Sequence, residues 1–350
     1  MVGKKAIIPA TDCEPAVSFS PQHNAWIIRG LAEARAILLS RRFSSNAYAK
    51  FGSDIGQGNN MLMASGVRHK LLKHLFSRYI SSRVGIFQRT SLRPIARQLL
   101  PRVVPQDTKL LLSGYVYPYY RESVYRIIGL KRDQGDEIVA CMRVARAMSE
   151  QQGSNSADAQ AAHQILAERV KEIYQQTSGH GRGVISDIIT DSSNPNIIDA
   201  IHLTLPLLRT LALDLEGDLT WRLLRVLLDL EPDRRQRVLR CHGGLFRACQ
   251  EILRLEADRF IPRTARDDTP LGAHLIRRGA LVLVMLGAIG KNPKTFDKPH
   301  EFHEDRTNLD DYPGFGLGDH RCVGEVLAKT IASTAAEVLF ETRAHTSIDG

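Results

Sequence analysis

The sequence contains no run of apolar residues long enough to cross a bilayer. Its longest candidates, 280–290 and 203–213 (broken by Arg209), have the length of buried core segments. The first residues, Met1 to Pro9, hold too short an apolar run for a secretory signal. The expectation is a cytoplasmic chain with no membrane partner. Cysteine is scarce. Cys13, Cys141, Cys241, Cys249 and Cys322 make an odd number, and no two stand in a C-x-x-C spacing. That excludes a disulfide framework and a thiolate zinc site. Aromatic residues make up only 6% of the chain, too few for base-stacking platforms, and no nucleic-acid-binding motif occurs, so nucleic acid is not an expected partner. Internal repeats and low-complexity tracts are absent.

What the chain does have is apolar bulk and positive charge. Its 350 residues are 43% hydrophobic, ample for one large core. Lys and Arg number 47 against 38 Asp and Glu, for a net charge of +9. A basic surface suits an acidic protein partner.

Helical spacing of apolar residues predicts helices over 31–39, 66–79, 110–130, 135–152, 157–177, 231–239, 242–255 and 325–341. The longest helix-compatible segment runs from Asn196, after Pro195, to Leu230, before Pro232. Short apolar runs at 25–28 and 281–286 read as strands, and the Gly/Asn/Ser-rich stretch 52–60 as a loop. Residues 1–23 read as irregular and 342–350 as a short tail. The fold class is mainly α with small β-sheets. Tyr115, Tyr117, Tyr119, Tyr120 and Tyr125 cluster around Pro118. They line a pocket or, more simply, pack as a buried helix junction.

The organising stretch is Phe315-Gly316-Leu317-Gly318-Asp319-His320-Arg321-Cys322-Val323-Gly324, followed by an apolar helical run. A thiolate at a helix N-terminus gains from the dipole and from backbone N–H donors, which suits a sulfur held ionised by a metal. The stretch resembles the haem-ligand loop of the cytochrome P450 family, Phe-x-x-Gly-x-His/Arg-x-Cys-x-Gly, with every fixed position filled. The resemblance extends from Trp26 to Glu341. Glu251-x-x-Arg254 lies upstream at the family's spacing, and His69-x-x-x-Lys73 stands where the family carries His-x-x-x-Arg. The chain begins later and ends sooner than the family pattern, so part of the substrate pocket is expected to be missing or rebuilt.

The resemblance implies a single haem-thiolate domain over 1–350 that binds haem b through Cys322, the metal ligand. It assigns His69, Lys73, Arg263, Phe315, Gly318, His320 and Gly324 to cofactor contacts, with Arg266 as the rival of Arg263. Gly318 and Gly324 would let the backbone approach the sulfur. Glu251 and Arg254 form the family's structural ion pair. Glu301 stands where many members have the third-arm arginine, which leaves Arg306 as its substitute. Counting from Pro232 and Glu251 places Leu215-Glu216-Gly217 where the family carries its oxygen-activating acid–threonine pair. Glu216, with Asp214 near it, therefore becomes the candidate catalytic acid–base. The implied activity is oxidation of a small or medium organic substrate in bacterial secondary metabolism, with O2 or hydrogen peroxide as oxidant. The alternatives are coupling or rearrangement chemistry, or a non-catalytic partner subunit. An acidic ferredoxin-type partner would dock at a basic face comprising Arg68, Lys70, Arg78 and Arg321.

Overall fold

The computed structural model describes residues 15–51, 61, 63–100, 107–152, 156–177, 183–191, 197–212 and 217–346. It is mainly helical with two small sheets. In chain order the elements begin with β1 (Val17–Ser20), β2 (Ala25–Ile28), α1 (Leu31–Leu38), β3 (Phe43–Ser44) and α2 (Gly66–Tyr79). There follow α3 (Val84–Phe87), α4 (Arg93–Leu99), α5 (Thr108–Leu111), α6 (Tyr117–Ile128), α7 (Arg132–Gln152) and α8 (Ala157–Thr177). Next come α9 (Val184–Thr190), α10 (Ile197–Ala212), α11 (Asp218–Asp229), α12 (Pro232–Arg240) and α13 (Gly244–Glu256). The last are β4 (Phe260–Ala265), β5 (Thr269–Leu271), β6 (His274–Ile276), β7 (Leu281–Met285), α14 (Leu286–Gly290) and α15 (Glu325–Thr346). No helix among the described residues is long and apolar enough to cross a membrane.

The chain divides into two compact units. The first takes in the segments up to Asp54, 62–64 and 232–325. Its main sheet runs β1-β2-β7-β4-β3, with β2 and β7 parallel and the other neighbours antiparallel. The β-branched Ile27, Ile28, Val282 and Val284 suit these pleated, buried positions. Ile28, Ile37, Phe43, Val284, Phe296 and Tyr312 share one core cluster. Residues 17–20, expected to be irregular, instead form β1, because pairing with β2 satisfies their backbone groups.

The second unit holds 55–61, 65–231 and the chain from Val326. Helices α7 and α8 pack on one another, and each buries an apolar stripe at helical spacing: Ile138, Met142 and Ala145 on one, Leu166, Val170 and Ile173 on the other. The tyrosine cluster proves to be a junction. The Tyr115 and Tyr119 rings stack at 5.9 Å. Their hydroxyls donate to the Ala335 and Ile331 carbonyls of α15 at 2.8 and 2.9 Å. Pro118 stands at the second residue of α6, directly after a π-helical stretch (Leu112–Val116) that joins α5 to α6 without a break. Helix α15 runs through Thr346, beyond the predicted end at Glu341.

The central helix departs from expectation. Apolar periodicity predicts one helix over 196–230, but the structure has α10 and α11, and Gly217 stands at the head of α11 with φ +68°. A left-handed residue cannot continue a right-handed helix. A Cβ at position 217 would lie 2.6 Å from Val116 Cγ1, so the close approach also requires glycine. Apolar spacing persists on both sides of the break, which is why the pattern hides it. Residues 213–216, and with them Asp214 and Glu216, lie outside the described residues.

Candidate active site

The cysteine loop is shaped by two left-handed glycines, Gly316 at φ +74° and Gly318 at φ +68°. They turn the chain so that the Cys322 N–H donates to the Phe315 carbonyl at 2.7 Å. The loop seats on the first unit's core: Leu317 packs against that cluster, and a Cβ at 316 would stand 3.8 Å from Ile261 Cδ1 of β4. Gly324 lies beside the sulfur: a Cβ there would stand 3.8 Å from Sγ, an ordinary contact. Gly318 packs closely on α1, since a Cβ there would stand 3.0 Å from the Leu38 carbonyl.

Cys322 is open to solvent, although protein atoms crowd its sulfur. Burial pushes the thiol pKa up, and the backbone N–H groups of Gly324 and Glu325 pull it down. These donors open α15, so the sulfur sits at the positive end of a helix dipole. Arg321 answers Glu325 one turn away, at 2.8 and 3.1 Å.

Two further predicted contacts lie in the same unit. His320 Nε2 meets Ser45 Oγ at 3.3 Å. Arg263 on β4 is buried, whereas its rival Arg266 is exposed. Burial holds the Arg263 guanidinium below its ordinary pKa, with Tyr48 partly offsetting this. It donates to the Pro262 carbonyl at 2.9 Å, and no carboxylate pairs with it among the described residues. A desolvated cation without a counter-ion is costly unless an anion joins it. An accessible sulfur met by N–H donors, together with such a cation, is a donor set that fits a haem with its carboxylate side chains. Sequence reasoning missed Ser45 and Tyr48, because neither stands in a motif and only the fold brings them to their partners.

Glu251 and Arg254 are both fully buried. The Glu251 carboxylate accepts from Arg254 at 2.6 and 2.8 Å, from the His303 N–H at 2.9 Å, and from Arg306 Nε at 2.8 Å. Arg306 is therefore the third arm, as the substitution at 301 suggested. Glu301 turns outward to Lys298 and His303. Arg254 and Arg306 also donate to carbonyls of the segment 297–301, so the network holds the connection that leads into the cysteine loop.

In the second unit, α2 carries His69, buried, and Lys73, half-buried, one turn apart on one face. Its arginines are engaged within the unit. Arg68 pairs with the buried Asp199 at 2.9 Å and Arg78 with Asp191 at 2.6 Å. The Tyr79 hydroxyl also donates to Asp191, and burial, aided by that bond, pushes its pKa up to about 12. Arg68, Arg78 and Arg321, read from sequence as a docking face, are thus each neutralised by a carboxylate of their own unit. Only Lys70 of that set is exposed with no such pair among the described residues.

The comparisons with known proteins agree with this geometry. The family model described as Cytochrome P450 matches residues 245–341. The 6-deoxyerythronolide B hydroxylase of Saccharopolyspora erythraea is 26% identical over 343 residues, covering 91% of this chain and 82% of its own. The putative cytochrome P450 YjiB of Bacillus subtilis is 35% identical over 109 residues, 31% of this chain and 27% of that protein. Among solved structures, HmtT, involved in himastatin biosynthesis, has a TM-score of 0.74 at 20% identity, covering 94% of this chain and 87% of its own. P450BioI in complex with an acyl carrier protein ligated to hexadec-9Z-enoic acid has a TM-score of 0.69 at 23% identity, with coverage of 91% and 85%. The structural likenesses bear on the fold.

Proposed function

We propose that this chain is a member of the cytochrome P450 family and a hydroxylating haem-thiolate oxidoreductase of bacterial secondary metabolism, acting on a small or medium organic molecule. The whole chain, 1–350, is read as one functional domain with one haem b. The observation that carries the proposal is the accessible Cys322 sulfur, met by the N–H groups of Gly324 and Glu325 at the head of α15. Bound through that sulfur, haem supplies iron-centred oxidation, with the thiolate favouring O–O cleavage.

The chain's own residues hold, orient and shield. Arg263 and His320 would bind the carboxylate side chains of the group, with His69 and Lys73 contributing by motif position. Lysine at 73 acts as a point charge where arginine would make a two-pronged contact. Phe315, half-buried at the start of the same loop, is assigned to limiting water at the sulfur once the haem is bound. Glu216, aided by Asp214, is assigned the proton-handling role by register in the sequence. Electrons come from an acidic ferredoxin-type donor, with O2 as oxidant. The hydroxylase relative supports the reaction class; the acyl carrier protein bound to one structural neighbour belongs to that neighbour.

The test is the visible spectrum of the reduced, carbon-monoxide-bound protein. A red-shifted Soret band, lost in Cys322→Ala, is expected; a purified protein that binds no haem overturns the proposal. Turnover with reductase and ferredoxin, against peroxide alone, checks the oxidant. Glu216→Ala should retain haem and lose most turnover, and unchanged turnover would remove the role given to Glu216.

A further inference from the structure

Three exposed cations of the first unit, with no carboxylate partner among the described residues, stand together at one corner beside the cysteine loop. Arg41 and Arg42 follow α1, and Arg266 follows β4; all three are exposed. In the β3–β4 ladder Phe43 faces Ala265 and Ser44 faces Thr264. The next step brings Arg42 opposite Arg266, and the Arg266 N–H donates to the Arg42 carbonyl at 2.8 Å. Directly opposed residues of an antiparallel pair share a face, and like charges there are destabilising. Among the described residues no carboxylate relieves this pair. Asp268 is committed to Arg277 and to the Arg278 N–H.

The corner also has an apolar centre. Leu39, which ends α1, is 55% exposed. It borders the cysteine loop: a Cβ at Gly318 would stand 3.4 Å from Leu39 Cδ2 and 3.0 Å from the Leu38 carbonyl. Two residues beyond Phe43, Ser45 holds His320 of that loop. Edge-strand charge alone would protect the sheet from pairing with other chains, but it requires neither an exposed leucine nor a position against the loop.

We propose that Leu39, Arg41, Arg42 and Arg266 form the docking surface for the acidic electron-donor protein. This rests on the haem-thiolate reading above. The occupant follows from charge complementarity and place. An anionic surface relieves the opposed arginines, Leu39 supplies the apolar contact that such interfaces centre on, and a donor seated here lies next to the loop that carries the metal ligand. The arginines expected from sequence to fill this role are committed elsewhere, as shown above.

The test uses the holoprotein and an acidic [2Fe–2S] ferredoxin with its reductase. Affinity is measured for Arg41→Glu/Arg42→Glu, for Arg266→Glu, and for a control, Arg126→Glu/Lys171→Glu, whose residues are exposed in the second unit. The Arg41/Arg42 double variant should weaken ferredoxin binding by about tenfold or more at low salt, mainly through slower association, and the difference should fade at high salt. Arg266→Glu should weaken it severalfold, and the control should not. Peroxide-driven turnover and the carbon-monoxide spectrum should stay unchanged in all three. Equal affinity in the Arg41/Arg42 variant and the control overturns the proposal, as does equal weakening in both. A wild-type protein without the thiolate–haem spectrum overturns the underlying reading instead, and the two failures are distinguishable.

Discussion

Replacing Arg306 by alanine isolates the third arm of the buried network. Arg306 is 7% exposed and its Nε donates to the fully buried Glu251 at 2.8 Å. A hydrogen bond to a charged group contributes about 1.5–3 kcal/mol. The guanidinium also donates to the carbonyls of Asp297, Lys298 and Glu301. Those acceptors lie in an exposed segment that water can serve after truncation, so together they add roughly 1 kcal/mol. Glu251 keeps Arg254 and the His303 N–H, so the larger penalty of an uncompensated buried charge does not arise. The expected loss is about 3 kcal/mol. An unfolding entropy of about 2.1 cal/mol/K per residue gives roughly 0.7 kcal/mol/K for the chain, so Tm should fall by about 4 °C. Glu301→Ala removes a side chain that is 58% exposed and should change stability by less than about 0.5 kcal/mol. Calorimetry on both variants is the assay. A Glu301→Ala loss equal to that of Arg306→Ala, or an Arg306→Ala shift below about 1 °C, would refute the assignment of Arg306.

Two more outcomes follow from the second unit. Burial, then Arg68, holds the His202 pKa below its ordinary value, against an opposing pull from Asp199. The unfolded chain therefore binds the proton more readily, and stability present above pH 6.5 is lost as pH falls toward the folded pKa. The slope reaches at most about 1.4 kcal/mol per pH unit from this group, and denaturant titrations should show it flattened in His202→Gln; an unchanged slope removes His202 as its source. Gly217→Ala combines a left-handed backbone cost of about 1–2 kcal/mol with a clash on Val116. It should destabilise by about 2–4 kcal/mol, and Val116→Ala should recover part of that in a double-mutant cycle, whereas strict additivity would show the two sites to be independent.

Much of the architecture could be read in advance, because it depends on local rules. The periodicity over 66–79 became α2 with the same ends, and the apolar run at 25–28 became β2. Pro232, read as the stop after the central segment, is the first residue of α12, one residue after the start expected at 231. The cysteine loop and the Glu251–Arg254 pair were legible because their chemistry demands fixed residue types at fixed spacing. Arg306 was legible only as a candidate, since nothing in one dimension says which arginine reaches Glu251.

The linear pattern therefore determined the helical class, the organising loop with Cys322, and the buried ion pair. These follow from residue type, spacing and backbone geometry over a few neighbours. The tertiary structure alone decided three other matters. It broke the central helix at Gly217, because Val116 from another segment approaches there. It neutralised Arg68 and Arg78, because Asp199 and Asp191, more than a hundred residues away, fold against them. It left Arg42 and Arg266 opposed, with no carboxylate partner among the described residues, because the β3–β4 register brings two distant segments together. In each case the deciding energy is a contact or a Coulomb pair between segments far apart in sequence, and the sequence of either segment alone carries no record of it.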